Sequence, residues 1–303
     1  MFEQIVIKNK RKFILVGLGE ILWDVLPDGK QLGGAPANFA YHAQALGGQG
    51  VVVSCIGNDE LGKEIFSSLD ELQLQRQYVS VDNSHPTGTV TVKLDEDGKP
   101  DYIIHENVAW DFIPSSSALL SLAAETDVVC FGSLCQRSEV SQKTVRSFLQ
   151  ATKPDCIRVF DINLRQSYFN RKVINTMLEL SNVLKLNDEE LAVVANLLGI
   201  TGSETDILSQ LAERYALRLI ALTRGASGSR LYAQGEDSNH QGFPAQIADT
   251  VGAGDSFTAA MTLGLLNSKN LDTINKYANR VASFVCSQSG ATPKLPDSLI
   301  QAV

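Results

Sequence analysis

Six short apolar runs, at residues 13–19, 50–56, 128–132, 157–162, 183–186 and 218–223, constrain this chain more than any other feature. Most are continuous and rich in Val and Ile, which suits strands buried on both faces. Between them lie helix-length amphipathic segments at 37–46, 61–72, 139–151, 188–198 and 204–215. Strand, helix, strand in repetition predicts an α/β fold, with a mostly parallel sheet and helices on both faces.

One region breaks that rhythm. Residues 87–94 alternate polar and apolar, 95–100 read as a turn, and 101–105 resume the strand. This is a hairpin with one solvated face. Residues 21–26 and the turn Pro27-Asp28-Gly29 offer two more strands beside it. The expectation is a small antiparallel sheet serving as a lid, over about 21–33 and 87–107, inside one domain covering 1–303. A decorated edge of the main sheet is the alternative.

Charge narrows the function classes. The 303 residues carry 26 Lys+Arg against 34 Asp+Glu, a net charge of −8. A general basic footprint for nucleic acid is therefore not expected, and an anionic substrate would need a local site. No stretch approaches the roughly 18 apolar residues of a membrane span. Lys8, Lys10, Arg11 and Lys12 before residues 13–18 imitate a signal peptide. The run is short and Glu20 and Asp24 follow at once, so a first core strand is expected instead. The cysteines, Cys55, Cys130, Cys135, Cys156 and Cys286, form no CxxC pair, and the four His form no HExxH. Buried thiols in a reducing cytoplasm are the expectation.

The segment Asp249-Thr250-Val251-Gly252-Ala253-Gly254-Asp255-Ser256-Phe257 opens a helical run at 258–266. Free amides at a helix start, with the macrodipole behind them, make an anion site, and Gly252 and Gly254 let the backbone approach closely. Two readings of Asp255 are open on the residues alone. It is a helix cap, or it takes a proton from a hydroxyl that attacks a phosphoryl group. Gly33-Gly34 forms a second close-approach turn before residues 37–46. Asn38 both donates and accepts, as a sugar hydroxyl requires, although a first-turn capping role would also suit it. Gly17-Leu18-Gly19 lacks the third glycine of a dinucleotide fingerprint, and no Walker A sequence is present.

The segment 249–257 resembles the C-terminal signature of the ribokinase-like, or PfkB, carbohydrate kinases. Residues 33–40 (GGAPANFA) resemble the family's glycine-rich motif, 187–190 (NDEE) its N-x-x-E element, and 223–228 (TRGASG) its nucleotide loop. The four marks in order span nearly the whole chain. The resemblance implies a three-layer α/β/α fold with a small β-sheet lid. It also implies ATP-dependent phosphorylation of a sugar's primary hydroxyl and selects Asp255 as the base, with the Gly252, Ala253 and Gly254 amides on the phosphoryl group. Asp24, Gly33, Gly34, Asn38, Asn163 and Arg165 would hold the sugar, with Trp110 stacked on it or packed beneath the lid. Asn187, Thr223, Gly225, Gly228 and Asn279 would hold the nucleotide. Asn187 and Glu190 would order Mg²⁺ through water, and Asp249 with the 287–290 loop is a candidate K⁺ site. Residues 161–165 (DINLR) and 106–111 (ENVAWD) lean toward fructokinases, so D-fructose is the expected substrate. Ribokinase, 2-keto-3-deoxygluconate kinase and nucleoside kinase are the alternatives, as is a non-catalytic sugar- or nucleotide-binding member. A homodimer formed through the lid is a further expectation.

Overall fold

A computed structural model of the chain describes residues 11–26, 29–94, 100–233 and 235–300. Lys8, Lys10, the Pro27-Asp28 step and the 95–99 turn lie outside these residues. The strands in chain order are β1 (Ile14–Leu18), β2 (Leu22–Leu26), β3 (Gly29–Gly33), β4 (Gln49–Gly57), β5 (Val79–Asp82), β6 (Thr89–Leu94), β7 (Pro100–Ile104), β8 (Val128–Phe131), β9 (Ile157–Asp161), β10 (Val183–Asn187), β11 (Leu219–Thr223), β12 (Ser229–Ala233) and β13 (Glu236–His240). The main helices are α1 (Ala35–Ala45), α2 (Glu60–Glu71), α3 (Ser117–Glu125), α4 (Glu139–Ala151), α5 (Arg171–Leu180), α6 (Asp188–Leu198), α7 (Glu204–Arg214), α8 (Ala253–Leu266) and α9 (Leu271–Cys286).

Nine strands form one sheet in the order β13-β12-β11-β10-β9-β8-β1-β4-β5. From β11 to β5 every neighbouring pair is parallel; β12 and β13 add an antiparallel edge. Side-chain parity sorts the core into two layers. Val16, Leu18, Val129, Phe131, Phe160, Leu184, Leu186, Ile220 and Leu222 pack with α3 to α7. Leu15, Val128, Val159, Val183 and Leu219 pack on the other face with α1, α8 and α9. The continuous apolar runs are thus explained by burial on both faces, giving three α/β/α layers. The short, polar or edge elements β5, β12, β13, α3 and α5 carry no such run and escaped the sequence reading.

The second sheet has four strands in the order β3-β2-β6-β7. It is a separate sheet, not an edge of the first. It is not wholly antiparallel as expected, because β2 and β6 pair in parallel at Trp23↔Thr89 and Asp24↔Val90. The chain leaves β3 through α1, β4, α2 and β5 before returning, so the two hairpins meet with like direction.

Candidate active site

Strand order reverses at β1, with β4 and β5 on one side and β8 to β11 on the other. Crevices beyond the carboxyl ends of parallel strands at such a reversal are where α/β folds place ligands. Two helices begin there. Gly34, at φ 110°, starts α1, and a Cβ on it would overlap the Glu20 carbonyl. Gly252, at φ 78°, starts α8, and a Cβ on it would overlap the Ala291 carbonyl. Both turns therefore need glycine on conformation and on space.

The two helix starts bring Asn38 and Asp255 together. Asn38 Nδ2 donates to Asp255 Oδ2 at 2.9 Å, and both side chains are buried. Burial pushes the Asp255 carboxyl up to about 6; the nearby Asp161 charge adds to the rise, while Asn38, Lys185 and Arg165 oppose it. Such a carboxylate is ionised at neutral pH and still basic enough to take a proton. Behind it, Lys185 Nζ pairs with Asp161 Oδ1 at 3.0 Å, and Thr258 Oγ1 of α8 donates to Asp161 Oδ2 at 3.1 Å. Lys185 and Asp161 sit opposite one another in the β9–β10 register, so the pair is built into the sheet. The Nζ also closes the space beside Gly254, where a Cβ would come within 3.0 Å of it. Helix α1 is fixed from behind as well. Tyr41 OH donates to Pro293 O at 3.0 Å, and His42 Nε2 meets Ala291 O at 2.9 Å. Burial drives His42 down to about 4, so the ring is neutral and donates to that carbonyl.

Asp24 lies on β2, and a Cβ on Gly33 would overlap its Oδ2. Burial raises the Asp24 carboxyl to about 6, and Arg165 pulls against the rise. The Arg165 charge thus reaches Asp24 and Asp255 together. Asn163, at the carboxyl end of β9, takes φ 49°, which Asn tolerates. Of the expected sugar-site residues, Asn38 thus touches Asp255, Gly34 opens the helix that carries Asn38, Asp24 lies against Gly33, and the Arg165 charge acts on both carboxylates.

Asn187 and Glu190 form a capping box on α6. Glu190 N donates to Asn187 Oδ1 at 2.8 Å, and Asn187 N to Glu190 Oε2 at 2.9 Å. Leu164 N donates to the other carboxylate oxygen, Glu190 Oε1, at 2.9 Å. Both oxygens thus already hold the backbone, and a hard cation would meet only their remaining lone pairs, which suits contact through water. Among the described residues no cluster of three or more His, Cys, Asp or Glu could hold a metal. Asp249 Oδ2 accepts from Gly290 N at 3.2 Å, joining the two segments of the expected monovalent-cation site.

Residues 223–228 form the tight connection between antiparallel β11 and β12. Arg224 N donates to Gly228 O at 2.8 Å, and a Cβ on Gly228 would overlap the His240 carbonyl. Two placements differ from expectation. Trp110 is completely buried, and Arg137 Cζ lies 4.1 Å from its ring centroid, so no ring face is offered to a sugar. Packing beneath the small sheet is its role, because the turn carrying it closes over the core. Asn279 is buried, with Nδ2 committed to Ser229 Oγ at 2.7 Å and Asn275 O at 2.8 Å; that packing lends its expected adenine role no support. The sequence reading missed Glu20, Arg137 and Lys185, and gave Asp161 no role. A Lys inside the apolar run 183–186 was the one signal that could have found the Lys185 pair.

Residues 24–298 match the pfkB family of carbohydrate kinases. The chain belongs to that family. Its match to a Klebsiella pneumoniae fructokinase is 32% identical over 263 residues, covering 82% of this chain and 83% of the relative. An uncharacterized sugar kinase of Pyrococcus horikoshii, solved in complex with ATP, is 28% identical, with a TM-score of 0.80, over 95% of this chain and 97% of that one. A Xylella fastidiosa fructokinase with bound ATP shares the fold, with TM-score 0.83 and 21% identity, over 96% and 99% of the two chains. In this pfkB-family kinase the family match thus takes in Asp24, Asn38 and Asp255 together.

Proposed function

We propose that the protein transfers the γ-phosphoryl group of ATP to a primary hydroxyl of a monosaccharide, D-fructose first, giving fructose 6-phosphate. The observation that carries this reading is the buried Asn38–Asp255 hydrogen bond at the start of α8. It sets a poised carboxylate against a helix terminus fit for phosphate. Asp255 takes the proton of the attacking hydroxyl. The sugar oxygen bonds to the γ-phosphorus, the bond to the ADP oxygen breaks, and ADP leaves. The first-turn amides of Gly252, Ala253 and Gly254 stabilise charge on the transferring group.

Asp24, Gly33, Gly34, Asn38, Asn163 and Arg165 hold the sugar in this reading; Asn187, Thr223, Gly225 and Gly228 hold the nucleotide. Mg²⁺, when bound, neutralises charge on the phosphates, reached by Asn187 and Glu190 through water. A K⁺ beside Asp249 would steady the loop at Ala291 that underlies Gly252. The small sheet closes over the sugar and excludes water from the phosphoryl group. Pairing of two such sheets in a homodimer, and action in the cytoplasm, complete the proposal. The fructose assignment is supported by the Klebsiella fructokinase likeness. A coupled ADP-release assay over ketoses, aldoses and nucleosides tests it. Fructose should give the highest kcat/KM; no ADP release with any monosaccharide would refute the kinase reading.

A further inference from the structure

Glu20 lies between β1 and β2, at the strand-order reversal, and is only 5% exposed. Its Oε2 is buried and has no hydrogen-bond partner among the described residues. Glu20 makes no ion pair there within 4.0 Å either. Buried carboxylate oxygens are rarely left so, because desolvation without a partner is costly. The charged groups acting on Glu20 are Arg165 and Arg137, which favour its anion, and Asp255, which disfavours it. Glu20 therefore shares the electrostatic surroundings of Asp24 and Asp255, both of which feel Arg165.

A second orphan complements the first. Arg137 Nη1 is buried without a partner among the described residues, while the rest of the guanidinium is fixed. Nε and Nη2 donate to Asp111 at 2.8 and 2.9 Å, and Nη2 donates to His105 O at 2.6 Å. Trp110 and Tyr168 rings cover it at 4.1 and 4.6 Å. Glu20 and Arg137 stand on adjoining segments, since a Cβ on Gly19 would lie 3.3 Å from Cys135 Sγ, and there a held donor and an acceptor are both left unpaired among the described residues. A cation would be repelled by Arg137, and an anion would meet the lone pairs of the buried Glu20 carboxyl, which suit a donor instead. A neutral hydroxyl, which donates and accepts at once, suits both.

We propose that Glu20 and Arg137 form a second hydroxyl-recognition pair of the sugar site, gripping a hydroxyl other than the one phosphorylated. This rests on the sugar-kinase reading and deepens it. Since Arg137 also holds the His105 carbonyl at the end of β7, the same contact ties sugar identity to the small sheet.

The test compares the best sugar with its monodeoxy analogues, one for each hydroxyl not phosphorylated, in the wild type, Glu20→Gln and Arg137→Met. The wild type should lose about tenfold or more in kcat/KM on one analogue. Both variants should lose a similar factor on the parent sugar, should no longer distinguish that analogue from it, and should keep KM for ATP within about twofold. Wild-type discrimination retained in Glu20→Gln overturns the proposal. So does a uniform loss over all analogues, which marks a merely structural residue. Thermal unfolding and ATP binding report folding. If Glu20→Gln does not fold, Glu20→Asp keeps the charge, shortens the reach, and is read on the same panel by the same criteria. A wild type that phosphorylates no sugar refutes the kinase reading itself, and this proposal with it. Wild-type turnover with unaltered variant selectivity removes the pair alone.

Discussion

Replacing Asn38 by Leu removes the donor to Asp255 while filling much the same space. That bond is 2.9 Å long, buried, and made to a carboxylate. A hydrogen bond to a charged group contributes about 1.5–3 kcal/mol, and each pKa unit is about 1.4 kcal/mol, so the Asp255 pKa should rise by about 1–2 units. The wild-type value is about 6, raised by burial above the ordinary 3.8. The base must be ionised to act, so activity is lost as pH falls through that value. The acid limb of kcat/KM for the sugar, which reports the enzyme before the sugar binds and is measured by coupled ADP release, should therefore stand near pH 6 in the wild type and near 7–8 in Asn38→Leu. For a shift of 1.5 units, the variant at pH 6 would retain about one-fifteenth of the wild-type ionised fraction and recover by pH 9. The pH at which the limb falls, rather than its height, separates this effect from any contact Asn38 makes to the substrate. A wild-type limb near 4 would show that Asp255 is not the buried base, and an unmoved limb in a folded variant would show that Asn38 does not hold its charge.

Three further outcomes are expected. Asp255→Asn should lower kcat by about 10²–10⁴-fold while ATP binding, followed by calorimetry, stays near wild type; near-normal turnover would remove Asp255 from the chemistry. Gly33→Ala places a methyl against Asp24 Oδ2, so KM for the sugar should rise severalfold with KM for ATP unchanged, and equal effects on both would refute the placement. Glu20 is held near 7 and Asp24 near 6, each chiefly by burial and each above its ordinary value, so the folded state keeps protons that the unfolded chain releases. Stability in urea should therefore fall between about pH 4 and pH 7, by on the order of 3 kcal/mol for Glu20 alone, and Glu20→Gln should flatten the slope; a slope unchanged in that variant would deny the buried acid.

Strand periodicity made the sheet and its layers legible from the residues, while the glycine-rich helix start marked Asp255 only as a candidate, a cap or a base, until the family resemblance chose between them. Those signals are local, because double-sided burial leaves an unbroken Val/Ile run and a close turn needs glycine. The Lys185–Asp161 pair was not legible, because it depends on β9 and β10 being neighbours in register. Glu20 stands two residues beyond β1 and resembles any acidic loop residue until its burial is known. Trp110 illustrates the converse. A Trp after a hairpin suits a stacking platform, yet the turn carrying it folds inward and Arg137 covers the ring. β13, Glu-Asp-Ser-Asn-His, has no apolar run at all and owes its place to edge pairing with β12.

The Asn38–Asp255 contact joins residues 217 positions apart, and the Tyr41 hydroxyl reaches a carbonyl 252 positions further along. During synthesis at about 5–20 residues per second, Asn38 therefore waits roughly 10–40 s for its partner to be made. A nascent chain carries the first half of the site, including Glu20, Asp24 and the glycine turn, with no carboxylate opposite it. If Asp255 is the base proposed above, chemistry is thereby withheld from every molecule that lacks residue 255. A chain stalled or cut anywhere before residue 255 lacks the group on which ATP consumption would depend, and one cut before residue 291 lacks the carbonyl that braces α1.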